Sequence, residues 1–171
     1  MPSASRTELK PLVELVAANY ALVARDLLNP MLELLRLSRL CTGDAESFLI
    51  LLVIAVRVTE DPQFRASSVE DLVPLAELPS RGTNIRSIAA SLDMPKETVR
   101  RKVAELAEAG WVVRREGELT LSGRVFTDLA NLKRSLEELA ARNYLTVHEL
   151  LAREGEATGT GPAEERTLPA P

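Results

Sequence analysis

Apolar residues recur along most of this chain at the three- and four-residue spacing of amphipathic helices, and alternate in one short stretch. From about Thr7, Leu12, Val16, Tyr20, Val23 and Leu27 form one apolar line, and Leu15 and Leu22 a second, which predicts a helix with a broad apolar face. Asn29-Pro30 is expected to end or kink that helix near Leu28, because proline lacks an amide donor and crowds the preceding turn. Met31, Leu34, Leu35 and Leu37 then continue as helix to about Leu40, and Cys41-Thr42-Gly43 reads as a break. Asp44 or Thr42 is placed to cap the next helix, whose run from Phe48 to Val56 is apolar on every side. That run is far shorter than the roughly 20 residues a membrane span needs, so it predicts a buried helix.

Asp61-Pro62, Pro74 and Pro79-Ser80-Arg81-Gly82 interrupt the pattern between Thr59 and Gly82, leaving at most one short helix around Val69 to Leu78. Val69, Leu72, Val73, Leu75 and Leu78 argue that this segment packs rather than hanging free. Beyond Ser122, which is placed to cap a helix, Val125, Phe126, Leu129, Leu132, Leu136, Leu139 and Ala140 recur helically. Asn143 interrupts the stripe, and Leu145, Val147, Leu150 and Leu151 read as a separate short helix. From Glu154 onward the composition is that of a disordered tail.

The most informative stretch is Asn84 to Ser122. Ile85, Ile88, Ala89 and Leu92 make one stripe of a short helix that Asn84 or Thr83 caps. Asp93-Met94-Pro95 ends it and starts another, since Pro95 disfavours helical dihedrals at Met94 yet suits the first turn of a new helix. In the second helix, Lys96 to about Ala109, the positions Val99, Val103 and Leu106 face a core, so Glu97 and Arg101 point outward with Arg100 and Ala104 on the flanks. The exposed start of this helix therefore offers Lys96, Glu97, Thr98, Arg100 and Arg101, and Lys102 adds to the basic cluster. Arginine bonds guanine bidentately, glutamate accepts from cytosine, and threonine reaches a base edge or a phosphate. Glu97 has a second use, an intrahelical pair with Arg101. Gly110 sits where a left-handed helix terminator belongs. Trp111 to Arg115, a Glu116-Gly117 turn, and Glu118 to Ser122 form a short hairpin that directs at least one of Arg114 and Arg115 outward.

These residues, above all Pro95 to Trp111, resemble the bacterial winged helix-turn-helix transcriptional regulators, over about a quarter of the chain. The resemblance implies a homodimer that binds a roughly palindromic operator in double-stranded DNA, with the second helix in the major groove and the hairpin beside it. The implied contact set is Pro95, Lys96, Glu97, Thr98, Arg100, Arg101, Lys102, Arg114 and Arg115, with Ser87, Ser91, Lys102 and Arg124 directed to phosphate. The hairpin departs from the family in its minimal Glu-Gly tip flanked by Glu116 and Glu118, which argues against insertion into the minor groove.

The expected fold is mainly α: a winged helix-turn-helix with a short β-hairpin wing, plus flanking N- and C-terminal dimerisation helices. The expected regions are a helical dimerisation region at 1–43 and a winged domain at 44–124, in which 59–82 is an insertion, 84–109 the helix-turn-helix and 111–122 the wing. A second dimerisation region at 125–153 and the tail at 154–171 complete the chain. Charge follows this division. Arg81 to Arg124 holds nine basic residues against six acidic, whereas the whole chain holds 21 against 25.

Other chemistry is sparse. His148 and Cys41 are each the single residue of their kind and lie far apart, so no metal-ligand set, disulfide framework or nucleophile–base pair is indicated, and neither an enzyme nor a cofactor is expected. His148 reads as a surface or interface residue, Cys41 as a small buried one, and Glu137-Glu138 as solvated helix face. The N-terminus lacks the apolar core of a signal peptide, which points to the cytoplasm and away from a membrane. Two alternatives to a DNA reader stand open: a winged-helix module that binds protein, and a regulator with a small-molecule effector pocket among apolar helices near Tyr20, Phe48 and Phe126.

Overall fold

The computed structural model describes residues 6–159. It is mainly helical, with one two-stranded antiparallel sheet. In order the elements are α1 (Arg6–Ala18), α2 (Tyr20–Thr42), α3 (Ala45–Thr59), α4 (Pro62–Ala66), α5 (Val69–Leu72), α6 (Ile85–Leu92), α7 (Lys96–Glu108), β1 (Val112–Arg115), β2 (Glu118–Leu121), α8 (Val125–Asp128) and α9 (Ala130–Gly159). The chain divides into two compact units, one of residues 1–31 with 138–171 and one of residues 32–137.

The 32–137 unit is built around α3. Asp44 caps it by accepting the Ser47 amide at 2.7 Å, and Ile50, Ile54 and Val58 are almost wholly inaccessible. α3 lies against α4, α6, α7 and β2. It is not buried all round: Leu49 and Val56 lie on its exposed side. An apolar stretch too short to span a membrane thus has a narrow solvent-facing side, at Leu49 and Val56, which none of its neighbours covers.

Two short helices, α4 and α5, occupy the segment expected to hold at most one. Asp61 caps the first, and Ser68 and Asp71 form a reciprocal capping box on the second. Leu72 and Leu78 are buried, and the chain around Leu78 is stitched to β2: the Leu78 amide donates to the Leu121 carbonyl at 2.8 Å, and the Thr120 hydroxyl to the Leu78 carbonyl at 3.0 Å. At Thr83 a further bridge is made to Leu119. Gly123 allows a close approach of backbone to backbone, since a Cβ there would stand 2.2 Å from the Leu72 carbonyl oxygen.

Four local expectations change. α2 runs through Pro30 without ending, and the interruption falls instead at Asn19, whose side-chain amide donates to the Leu15 carbonyl at 3.0 Å. Val23, Pro30, Leu34 and Ser38 keep helical spacing as buried positions on both sides of the proline, and that burial offsets the roughly 3 kcal/mol an interior proline costs. Asn143 does not interrupt α9, because Leu132, Ser135, Thr146 and Leu150 are buried on the stripe to which it belongs. Ser122 caps no helix; its hydroxyl donates to the Gly110 carbonyl at 2.6 Å, while α8 begins after Arg124 without a side-chain cap and ends at Asp128. Residues 154–159, read as the start of a tail, close α9, and the rest of that segment lies outside the described residues.

In the other unit Leu15, Val23 and Leu150 form a small apolar cluster with Val16 and Leu27 against it. Leu9, Val13, Tyr20, Leu22, Leu28, Met31, Tyr144, Leu145 and Leu151 remain exposed there. No described helix is long and apolar enough to cross a membrane.

Candidate nucleic-acid interface

α6 and α7 have the bounds their sequence patterns predict. Asn84 caps α6 by accepting the Ser87 amide at 3.0 Å. Asp93 ends it at φ 51°, a left-handed conformation that aspartate tolerates better than most residues, and the Met94 amide returns to the Ala89 carbonyl at 3.0 Å. Pro95 then precedes α7 with no side-chain cap, which leaves the first amides of that helix without a side-chain acceptor from that position. At its far end Gly110 takes φ 78°, its amide meets the Ala107 carbonyl at 2.9 Å, and the Trp111 amide meets the Leu106 carbonyl at 3.1 Å, a Schellman termination.

Val99, Val103 and Leu106 are buried, and this anchors the inner face of α7. On the outer face Lys96, Glu97, Arg100 and Arg101 are exposed, and Thr98 is half-buried. Both arginines are ion-paired along the helix. Arg100 bonds Glu97 at 2.8 Å and Arg101 bonds Glu105 at 3.0 Å, so the expected pairing of Glu97 with Arg101 is replaced by one a residue nearer. Pairs this exposed are weak, and both guanidiniums stay available to a stronger partner.

Lys102 departs from the contact set. It is buried rather than presented with its basic neighbours; its ammonium is bonded to the Asp44 carboxylate at the cap of α3 and lies 3.4 Å from Glu105. It is therefore withdrawn as a DNA or phosphate contact. Burial works against the Asp44 carboxylate, but hydrogen bonds from Lys102 and Ser47 outweigh it and hold the carboxyl below its ordinary value. The same bond to Asp44, against the opposing effect of burial and with help from Glu105, holds Lys102 above the usual lysine value. The helical wheel carried this signal: Lys102 lies roughly 60° from the centre of the apolar stripe, on its inner flank.

The hairpin pairs Arg115 with Glu118 across a two-residue turn in which Glu116 and Gly117 have φ of 52° and 88°, the twist-matched hairpin geometry. Val112, Leu119 and Leu121 face inward, while Arg114 and Arg115 are exposed. Arg115 lies 3.6 Å from Glu77, a neighbour that nothing in the local pattern announces. Ser87 and Ser91 are exposed on α6, and the exposed Arg86 joins them there. Arg124 bonds Asp128 at 3.2 Å. Asp128 also accepts the Trp111 indole N–H at 3.1 Å, which with Arg124 keeps its carboxyl below the ordinary range against partial burial.

Of the three aromatic residues expected around a pocket, Phe48 and Phe126 line an apolar cleft in the 32–137 unit. Tyr20 does not; it is 54% exposed, and Phe64 stacks on Phe126 instead with ring centres 6.5 Å apart. Comparison of the chain with protein-family models, with curated proteins and with solved structures finds no significant match.

Proposed function

We propose that this chain is a sequence-specific DNA-binding transcriptional regulator of the winged helix-turn-helix kind, acting as a homodimer in the cytoplasm. The observation that carries the reading is the outer face of α7, where Lys96, Arg100 and Arg101 stand exposed on a helix whose inner face is anchored by Val99, Val103 and Leu106. α6 and α7 serve as the helix-turn-helix, with α7 lying in the major groove, and the β1–β2 hairpin is the wing. Arg100 and Arg101 exchange their helix partners for guanine or phosphate, Glu97 and Thr98 supply neighbouring base or phosphate contacts, and the uncapped amides after Pro95 meet a phosphate. Arg114 and Arg115 reach the backbone beside the groove. Lys102 serves this surface from within, by fixing α7 to the cap of α3.

Two considerations support dimerisation. A single reading helix with a modest basic surplus binds weakly, and two such helices about 34 Å apart address successive major grooves. The exposed apolar residues of α1, α2 and α9 supply surface for a symmetry mate.

The test is binding of the purified protein to fragments of the region upstream of its own gene, across a salt series, beside an Arg100→Ala, Arg101→Ala variant. Site preference that persists at moderate salt and falls at least about tenfold in the variant supports the reading. Equal weak binding to every fragment, or none, overturns it in favour of a winged-helix module that holds a protein partner.

A further inference from the structure

An apolar cleft of about 280 Å³ opens in the 32–137 unit between α3, α8 and the first turns of α9. Phe48, Leu52, Ala55, Phe64, Phe126 and Leu129 supply much of its wall, which is almost wholly apolar; of the two residues there with polar ends, Thr59 and Lys133, the lysine lends its methylene stem to the wall and leaves its ammonium outside the apolar surface. The Thr59 hydroxyl is committed to the Val56 carbonyl at 2.8 Å. Lys133 is different. Its side chain is 44% exposed and its ammonium pairs with Glu137 one turn further along α9.

We propose that this cleft binds a small amphipathic acid, an apolar body of about ten carbons bearing one carboxylate that Lys133 takes in place of Glu137. Size sets the body: a dry apolar cavity of roughly 150 Å³ holds a benzene, so a cleft of nearly twice that volume holds roughly ten to twelve carbons. Charge sets the head. The one ionic side chain in the wall is a cation, and its present partner is an exposed neighbour on the same helix, a weak pair that a ligand carboxylate displaces at little cost. The site goes beyond the DNA-binding reading and does not rest on it.

The chain carries its own reporter. Trp111, the single tryptophan, donates its indole N–H to Asp128, the last residue of α8, and Val125 and Phe126 of α8 line the cleft. The experiment is a calorimetric titration of the intact protein with decanoate and with 1-decanol, paired with Trp111 fluorescence and repeated on Lys133→Gln and Ala55→Phe. The expected result is saturable one-to-one binding with a fluorescence change, decanoate about fivefold tighter than decanol, the difference lost in Lys133→Gln and both ligands lost in Ala55→Phe. Lys133 is half exposed, so its variant keeps the test decisive even where added bulk at Ala55 disturbs folding. Absence of saturable binding, equal affinity for acid and alcohol, or decanoate binding untouched by a folded Ala55→Phe overturns the proposal. Affinity that rises as the protein is diluted overturns it too, since it means that a second copy fills the cleft.

Discussion

The 32–137 unit and the unit formed by 1–31 with 138–171 draw on the same aliphatic alphabet and use it differently. In the first, Ile50, Ile54, Ile88, Val99, Val103 and Leu119 are at or below 1% exposure, and nearly every helix start has a capping side chain or a proline. In the second, the buried apolar cluster is Leu15, Val23 and Leu150, while Val13, Leu22, Leu28 and Leu145 are each more than half exposed. Apolar periodicity is therefore equally good evidence for a helix in both units and unequal evidence for a core. The first unit buries a core of its own even though Leu32, Leu40, Leu49 and Val56 stay exposed on it; the second buries few of its described apolar residues and leaves most of them exposed.

The largest effect that tests this contrast is a pair of truncations. Ile54→Ala, at a wholly buried position, is expected to destabilise the protein by about 2–5 kcal/mol in denaturant unfolding, and Val13→Ala, at a position 62% exposed, by less than about 0.5 kcal/mol. A Val13→Ala cost that approaches that of Ile54→Ala and grows with protein concentration shows that the exposed face is covered in solution.

A smaller effect concerns what holds α7 in the first unit. Lys102→Met removes the partner of Asp44, and since the Asp44 side chain is 40% exposed the cost is discounted from that of a fully buried pair to about 1–2 kcal/mol. Its pH dependence has a definite sign. The Asp44 pKa is depressed on folding, so its contribution is complete above the unfolded carboxylate value and is lost as pH falls through the lower folded value. The Lys102 pKa is raised, so its contribution is complete below the unfolded lysine value and is lost as pH rises through the folded one. The difference between native and variant should be flat between about pH 5 and 9 and shrink in acid. A difference that instead grows in acid breaks the assignment.

The smallest effect belongs to the second unit. The Asn143 side-chain oxygen is buried without a hydrogen-bond partner, so Asn143→Leu is expected to stabilise by about 1 kcal/mol, read as a rise in Tm. Destabilisation, or a change of oligomeric state in sedimentation, would show that a second chain satisfies that oxygen, and would move Asn143 from a defect of the unit to a determinant of its partner.

The candidate surface was legible because its signals are local. Asn84, Pro95 and Gly110 mark the ends of α6 and α7 through caps and backbone conformation, and the spacing of Val99, Val103 and Leu106 assigns the outward positions of Arg100 and Arg101 with no knowledge of what lies beneath. Lys102 was legible only in part, from its place on the flank of the apolar stripe, and the Arg115 contact was not legible at all. Their partners, Asp44 and Glu77, are remote in sequence, and a basic residue beside an apolar stripe points inward only when an acid waits there.

By itself the sequence determined where α3, α6, α7 and the hairpin form, because periodicity, capping side chains and residues that accept positive φ act over a few neighbours. The tertiary structure decided the rest: that α2 continues through Pro30 and α9 through Asn143, that Ser122 serves Gly110 instead of a helix, and that α3 keeps a bare apolar side. Each of these depends on which surface packs against the residue, and burial, unlike a cap or a turn, is a property of two segments at once.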